Sequence, residues 1–154
     1  MSVISIAIPT PEDTKRLAAR VGRVVQAGDT VLLSGDLGSG KTTFAQALIH
    51  ALTGAAVDVT SPTFNLVQHY PMHMGDGPDI FHYDLYRLER PNALQELGLE
   101  DAEEGIRIIE WPERLGSDFA PDSWLSVHFE FDGRSRTAQM RAQGAIATRL
   151  KDAA

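Results

Sequence analysis

The chain has 154 residues, 43% of them hydrophobic, and no cysteine, so it can bury one domain's core while disulfides and thiolate metal sites are excluded. A formal net charge of -7 argues against a broad basic surface that grips nucleic acid unaided. Residues 1–8 lack the basic start and apolar length of a signal peptide, and no run of about 18 apolar residues occurs, so the expectation is one cytoplasmic domain over residues 1–154 with no membrane segment.

In chain order, Val3, Ile4, Ile6 and Ile8 predict a first strand of mixed burial. Thr10-Pro11-Glu12-Asp13 predicts a helix start, with Thr10 as N-cap, Pro11 at the first helical position and acids in the opening turn. Leu17, Ala18, Val21, Val24 and Val25 recur at helical spacing, and Gly28 is the expected stop. Residues 30–34 are apolar enough for a central strand of a parallel sheet.

That strand leads into Gly35-Asp36-Leu37-Gly38-Ser39-Gly40-Lys41-Thr42-Thr43, which fits G-x-x-x-x-G-K-[ST], the Walker A phosphate loop, and a helix over residues 43–52 follows. The strand-loop-helix setting is the context the motif requires. Gly35, Gly38 and Gly40 let main-chain N–H groups approach an anion with no Cβ in the way. Those groups and the positive end of the helix make a cradle for phosphate oxygens. Lys41 reaches β- and γ-phosphates, and the Thr42 hydroxyl suits a Mg²⁺ shell. Nucleotide binding is therefore the starting expectation.

Residues 57–64 are β-prone and interrupted by Pro62, which puts Thr60, Ser61 and Thr63 on a stiff loop suited to sensing a γ-phosphate or Mg²⁺; an ordinary Thr-rich turn is the competing reading. Residues 65–70 and 79–83 read as strands around a Gly- and Pro-rich turn at 71–78. His69 and His73 are four apart, but Pro71 between them argues against a helical metal pair. Asp84 and Glu110 each end an apolar run, the place where a strand delivers a carboxylate to a ligand in open α/β sheets and where a Walker B acid holds Mg²⁺. A cap or an exposed strand end is the alternative for either acid.

Residues 90–98 predict a short helix stopped by glycine, and the acidic run 96–104 is a solvated face by default, with partner docking as the minority reading. Residues 124–131 alternate Leu125, Val127, Phe129 and Phe131 on one face of a strand. Gly133-Arg134 predicts a hairpin turn, 137–141 a return strand, and the last ten residues a short helix or frayed tail. The basic stretch from 133 onward, with Arg134, Arg136, Arg141, Arg149 and Lys151, reads as solvated surface.

Taken together, the phosphate loop, Ser61-Pro62-Thr63-Phe64, Asp84-Leu85-Tyr86-Arg87-Leu88, Glu96-Leu97-Gly98-Leu99 and Glu110-Trp111-Pro112-Glu113 resemble the TsaE (YjeE) family, in order, over about residues 30–115. The resemblance implies an α/β, three-layer P-loop NTPase-like fold with a mixed, largely parallel central sheet and a C-terminal antiparallel hairpin. It implies an accessory ATPase, needed for N6-threonylcarbamoyladenosine at position 37 of tRNAs that read codons beginning with A. Such a subunit binds the TsaB–TsaD heterodimer, whose TsaD member performs the transfer, and meets tRNA only through that complex. By the same resemblance Gly38, Ser39, Gly40, Lys41, Thr42 and Thr43 hold ATP, Thr42 and Glu110 bind Mg²⁺, and Asp84 acts in hydrolysis with Lys41. Thr63 falls in a switch-like loop, Trp111 lies beside the site, Thr10 near the adenine and Arg134 near the phosphates. For Trp111, a core aromatic with a bonded N–H is the competing reading.

Three other readings use the same loop. A small-molecule kinase needs an acceptor pocket and an arginine-bearing lid, for which only Arg87, Arg90 and Arg114 stand nearby in sequence. A GTPase switch lacks any D-x-x-G or N-K-x-D. A non-catalytic module would bind ATP only to set its shape.

Overall fold

The computed structural model describes residues 3–36, 38–54, 66–71, 77–88, 97–116, 119–131, 133 and 135–153. The predicted loop at 57–64 with Thr63, most of the predicted helix 90–98, His73 and Arg134 lie outside the described residues. The chain runs β1 (Ile4–Ala7), α1 (Pro11–Gly22), β2 (Thr30–Gly35), α2 (Lys41–Thr53), β3 (Val67–Tyr70), β4 (Ile80–Asp84) and β5 (Ile106–Glu110). A short 3₁₀ turn at Pro112–Arg114, then β6 (Trp124–Phe131), β7 (Arg136–Gln143) and α3 (Ala145–Asp152) follow among the described residues. Among the described residues, no helix is long and apolar enough to cross a membrane.

The seven strands form one mixed sheet in the order β1-β7-β6-β2-β5-β4-β3. β6, β2, β5 and β4 are mutually parallel, while β3 at one margin and the β7–β1 pair at the other run antiparallel to their neighbours. Burial explains the arrangement. All five residues of β5 are buried, as expected for a strand covered on both faces, and β2 beside it is buried at Thr30, Val31 and Leu33. Parallel pairing aligns the C-terminal ends of β2, β4 and β5, with Leu33 opposite Glu110 and Glu110 opposite Asp84. The loop after β2 and the two acids therefore meet at one edge of the sheet.

One face is covered by α1, α2 and α3, whose Leu17, Ala18, Phe44, Leu48 and Ile146 pack on Val31, Ile108, Val127 and Ala138. The other carries a smaller core of Tyr83, Leu85, Leu88, Leu99 and Ile109, covered by turns that include Leu97, Trp111 and Phe119. Helices, sheet and turns give the three layers. Phe44 has no exposed surface and meets Phe129 edge-on at 5.6 Å, and burying such a ring contributes about 1.5–3 kcal/mol, which fixes α2 on the sheet. At the far end Asp29 accepts from Ser123 Oγ (2.7 Å) and Gln26 N (2.7 Å) and pairs with Arg149, whose Nε donates to Val24 O (2.7 Å). This ties α3 to the start of β2.

Helix α1 starts as the sequence predicts: Thr10 and Asp13 form a reciprocal capping box with Pro11 in the first turn. It stops earlier than expected, at Gly22 and not near Gly28. Val24 N and Val25 N both return to Val21 O (3.0 and 3.1 Å), so a tighter last turn keeps these valines buried after the helix has ended. Gly28, at φ 93, makes the turn into β2. Phe131 also departs from expectation: Leu125, Val127 and Phe129 point inward, but Phe131 is 58% exposed beyond the core's margin, with the Arg136 guanidinium 5.3 Å from its ring.

Candidate functional site

The loop between β2 and α2 is shaped by glycines where side chains do not fit. Gly35 has φ 135, and a Cβ there would lie 2.7 Å from Phe129 O and 2.8 Å from Ser39 Oγ. Gly40 caps α2 in the left-handed region without any side-chain cap bond, and the first helical bond is Phe44 N to Gly40 O (2.9 Å). The amides of Lys41, Thr42 and Thr43 thus open toward the cleft at the positive end of a helix of 13 residues. Ser39 Oγ is buried with no hydrogen-bond partner among the described residues.

Lys41 is 4% exposed, yet its Nζ donates to Gly35 O (2.6 Å) and Asp36 O (2.8 Å) and sits 4.2 Å from the centre of the Trp111 ring. Burial pulls the ammonium pKa below its ordinary value, and the charges of Glu110, Glu113, Asp84 and Asp36 work against that pull. A buried cation satisfied only by carbonyls and a ring is well placed to exchange those partners for an anion.

Opposite stand the acids. Glu110, 1% exposed, accepts from Thr42 Oγ1 at Oε1 (2.9 Å) and contacts His82 Nε2 through Oε2 (2.6 Å). Asp84 lies beside it on β4 and accepts from Tyr86 N (3.1 Å). Burial, then the neighbouring Glu110, raises the Asp84 carboxyl above its usual range. The resulting set, a hydroxyl and two carboxylates at the mouth of an anion cradle, offers hard oxygen donors of the type Mg²⁺ takes. Among the described residues no three His, Asp or Glu side chains converge as an all-protein metal cage.

Gly38, Gly40, Lys41, Thr42, Thr43, Asp84, Tyr86, Glu110, Trp111 and Arg136 line this cleft. Trp111 adopts φ 61 and ψ 53, a conformation that costs a non-glycine residue about 1–3 kcal/mol. It is held there by Trp111 N to Leu33 O (3.1 Å), Arg114 N to Trp111 O (3.1 Å) and the Tyr86 ring at 4.9 Å.

The sequence profile of the threonylcarbamoyl adenosine biosynthesis protein TsaE family matches residues 8–140. The chain belongs to the TsaE family. It is 45% identical over 103 residues to TsaE of Rickettsia felis, an alignment that takes in 66% of this chain and 58% of that protein. Against TsaE of Nostoc sp. it is 38% identical over 142 residues, 88% of this chain and 83% of the relative. It thus spans under two thirds of the Rickettsia felis relative and 57% of its Rickettsia conorii counterpart. The crystal structure of Bacillus subtilis YdiB has the same fold, with a TM-score of 0.72 at 24% identity over 99% of this chain and 94% of that one.

The span shared with the TsaE family contains every residue of the cleft. Of the residues the sequence singles out, the structure brings together Gly38, Gly40, Lys41, Thr42, Thr43, Asp84, Glu110 and Trp111 around it, with Ser39 buried in the loop. The Trp111 ring packs partly buried against the smaller core and also faces Lys41. Thr10 is not among the lining residues; its Oγ1 donates to Asp13 Oδ2 (2.8 Å) and accepts from Asp13 N (3.2 Å). His69 stacks on Phe81 and contacts Asp79 (3.0 Å). Three site residues escape sequence reasoning: Tyr86, which lines the cleft two positions after Asp84, and two others. Arg136, two positions after Arg134, lines the cleft from the start of β7, and His82 touches Glu110 from inside β4. His82 carries a usable signal: it lies two residues before Asp84, so strand alternation puts both on one face.

Proposed function

We propose that this TsaE-family chain binds ATP with Mg²⁺ and hydrolyses it slowly, as an accessory subunit in the formation of N6-threonylcarbamoyladenosine at position 37 of tRNAs reading codons that begin with A. Its partner in this reading is the TsaB–TsaD heterodimer in the cytoplasm, and tRNA is met only through that complex, consistent with the net charge of -7. The observation that carries the proposal is the 2.9 Å contact between Thr42 and Glu110, which joins the phosphate loop to an acid at a strand end.

In this mechanism Lys41 Nζ leaves Gly35 O and Asp36 O for phosphate oxygens, and the amides at the start of α2 hold the remaining ones. Thr42 and Glu110 would hold Mg²⁺, which when bound would supply positive charge against that of the phosphates. Asp84 orients water toward the γ-phosphorus. As the new P–O bond forms and the bond to the β–γ bridging oxygen breaks, Asp84 accepts the water's proton, a role its raised pKa favours. Trp111 shields one side of Lys41, while Tyr86, 40% exposed, leaves the cleft mouth open for a partner to complete.

Calorimetry with Mg·ATP tests the binding step: the native chain gives saturable heat and Lys41→Ala does not. Reconstituted tRNA modification with TsaB and TsaD tests the role. Modification that cycles equally well without this chain, or with Lys41→Ala, removes it.

A further inference from the structure

We infer that His82 is a positioning residue whose Nε2–H fixes the rotation of the Glu110 carboxylate, and so sets how well the Thr42–Glu110 pair takes a divalent cation. The inference rests on the reading of that pair as the Mg²⁺ site. His82 has no exposed surface, lies 2.6 Å from Glu110 Oε2, and has an Nδ1 with no hydrogen-bond partner among the described residues. A carboxylate oxygen accepts, so a ring proton sits on Nε2.

A buried ring nitrogen without a partner costs free energy that an apolar side chain of similar volume would avoid. Core filling therefore does not account for an imidazole in the middle of Ile80–Asp84, flanked in register by Ile108. The single bond it makes does. Glu110 is held at both oxygens, Oε1 by Thr42 on α2 and Oε2 by His82 on β4, so its plane is set from both sides. A group that orients a ligating carboxylate typically changes metal affinity by about 10–100-fold when removed.

The test uses Mn²⁺ as a spectroscopic probe with a non-hydrolysable ATP analogue, and reads free Mn²⁺ by electron paramagnetic resonance. His82→Leu, which keeps bulk and loses the donor, weakens Mn²⁺ binding to the protein–nucleotide complex by roughly 10-fold or more. His82→Gln, whose amide can reach Glu110, stays within about 3-fold of the native protein by the same scale. Nucleotide affinity in EDTA is unchanged in both. If His82→Leu does not fold, as judged by its melting transition, His82→Asn replaces it, since its shorter amide falls short of Glu110. Equal Mn²⁺ affinity in the native, Leu or Asn, and Gln proteins overturns the inference while leaving the site assignment intact. Loss of EDTA-state nucleotide affinity in parallel with Mn²⁺ affinity also overturns it, because a general packing role would act that way. No Mn²⁺ binding by the native protein–nucleotide complex overturns the site assignment itself.

Discussion

Thr42→Val removes one hydroxyl and adds a methyl of nearly equal size, so it isolates the bond to Glu110. That bond is 2.9 Å long and ends on a carboxylate with 1% exposure. A hydrogen bond to a charged group contributes about 1.5–3 kcal/mol net, and little solvent reaches Glu110 to replace it. For a chain of this length each kcal/mol moves the melting temperature by roughly 2–4 °C, so Thr42→Val should melt about 3–12 °C below the native protein in differential scanning calorimetry. Thr42→Ser retains the hydroxyl and should lose less than half as much. Under the proposed function the pair diverges further with ligand: Mg·ATP at 100 times its Kd adds about 2.7 kcal/mol to a competent site, and Thr42→Val should show a small fraction of that gain. A Thr42→Val protein that melts within about 1 °C of the native one refutes the claim that this hydroxyl holds Glu110.

Gly35→Ala places a Cβ 2.7 Å from Phe129 O at φ 135, and strain plus overpacking should lower stability by about 2–5 kcal/mol, seen as a reduced urea midpoint with an unchanged slope. Asp29→Ala strips the acceptor from Arg149, Ser123 and Gln26 at a site 1% exposed, so a loss of about 3–5 kcal/mol is expected, with Asp29→Asn intermediate. Asp84 has a raised pKa, so the folded state holds its proton more tightly than the unfolded chain; the associated stability is present at low pH and fades as pH climbs through the folded pKa. Asp84→Asn should therefore stabilise the protein at neutral pH, with the gain vanishing toward about pH 4, and should abolish hydrolysis while Mg·ATP still binds. A Tm difference independent of pH would contradict this.

The phosphate loop is legible in the sequence because its requirements are local: glycines where Cβ cannot go, and a lysine and threonine at fixed offsets. Asp84 and Glu110 are legible as strand ends for the same reason, but nothing in the residues says that β4 and β5 are neighbours. That adjacency comes from burial of the apolar strand Ile106–Glu110 between two parallel partners. Periodicity overran α1 because Val24 and Val25 remain buried in the turn that follows it, so their spacing records the core and not the helix. Trp111 and Leu66 both take φ 61 without being glycine, and such positions leave no compositional trace. Arg136 was hidden by the pairing of β7 with β6, which determines the end of the sheet its side chain faces.

The ammonium of Lys41 already has two carbonyl acceptors and an aromatic face, which means the loop keeps a stand-in guest of its own. Under the proposed function, a triphosphate would exchange one set of contacts for another around a lysine that is already held. Recognition should then be governed by how the lysine divides its time between the two sets of partners.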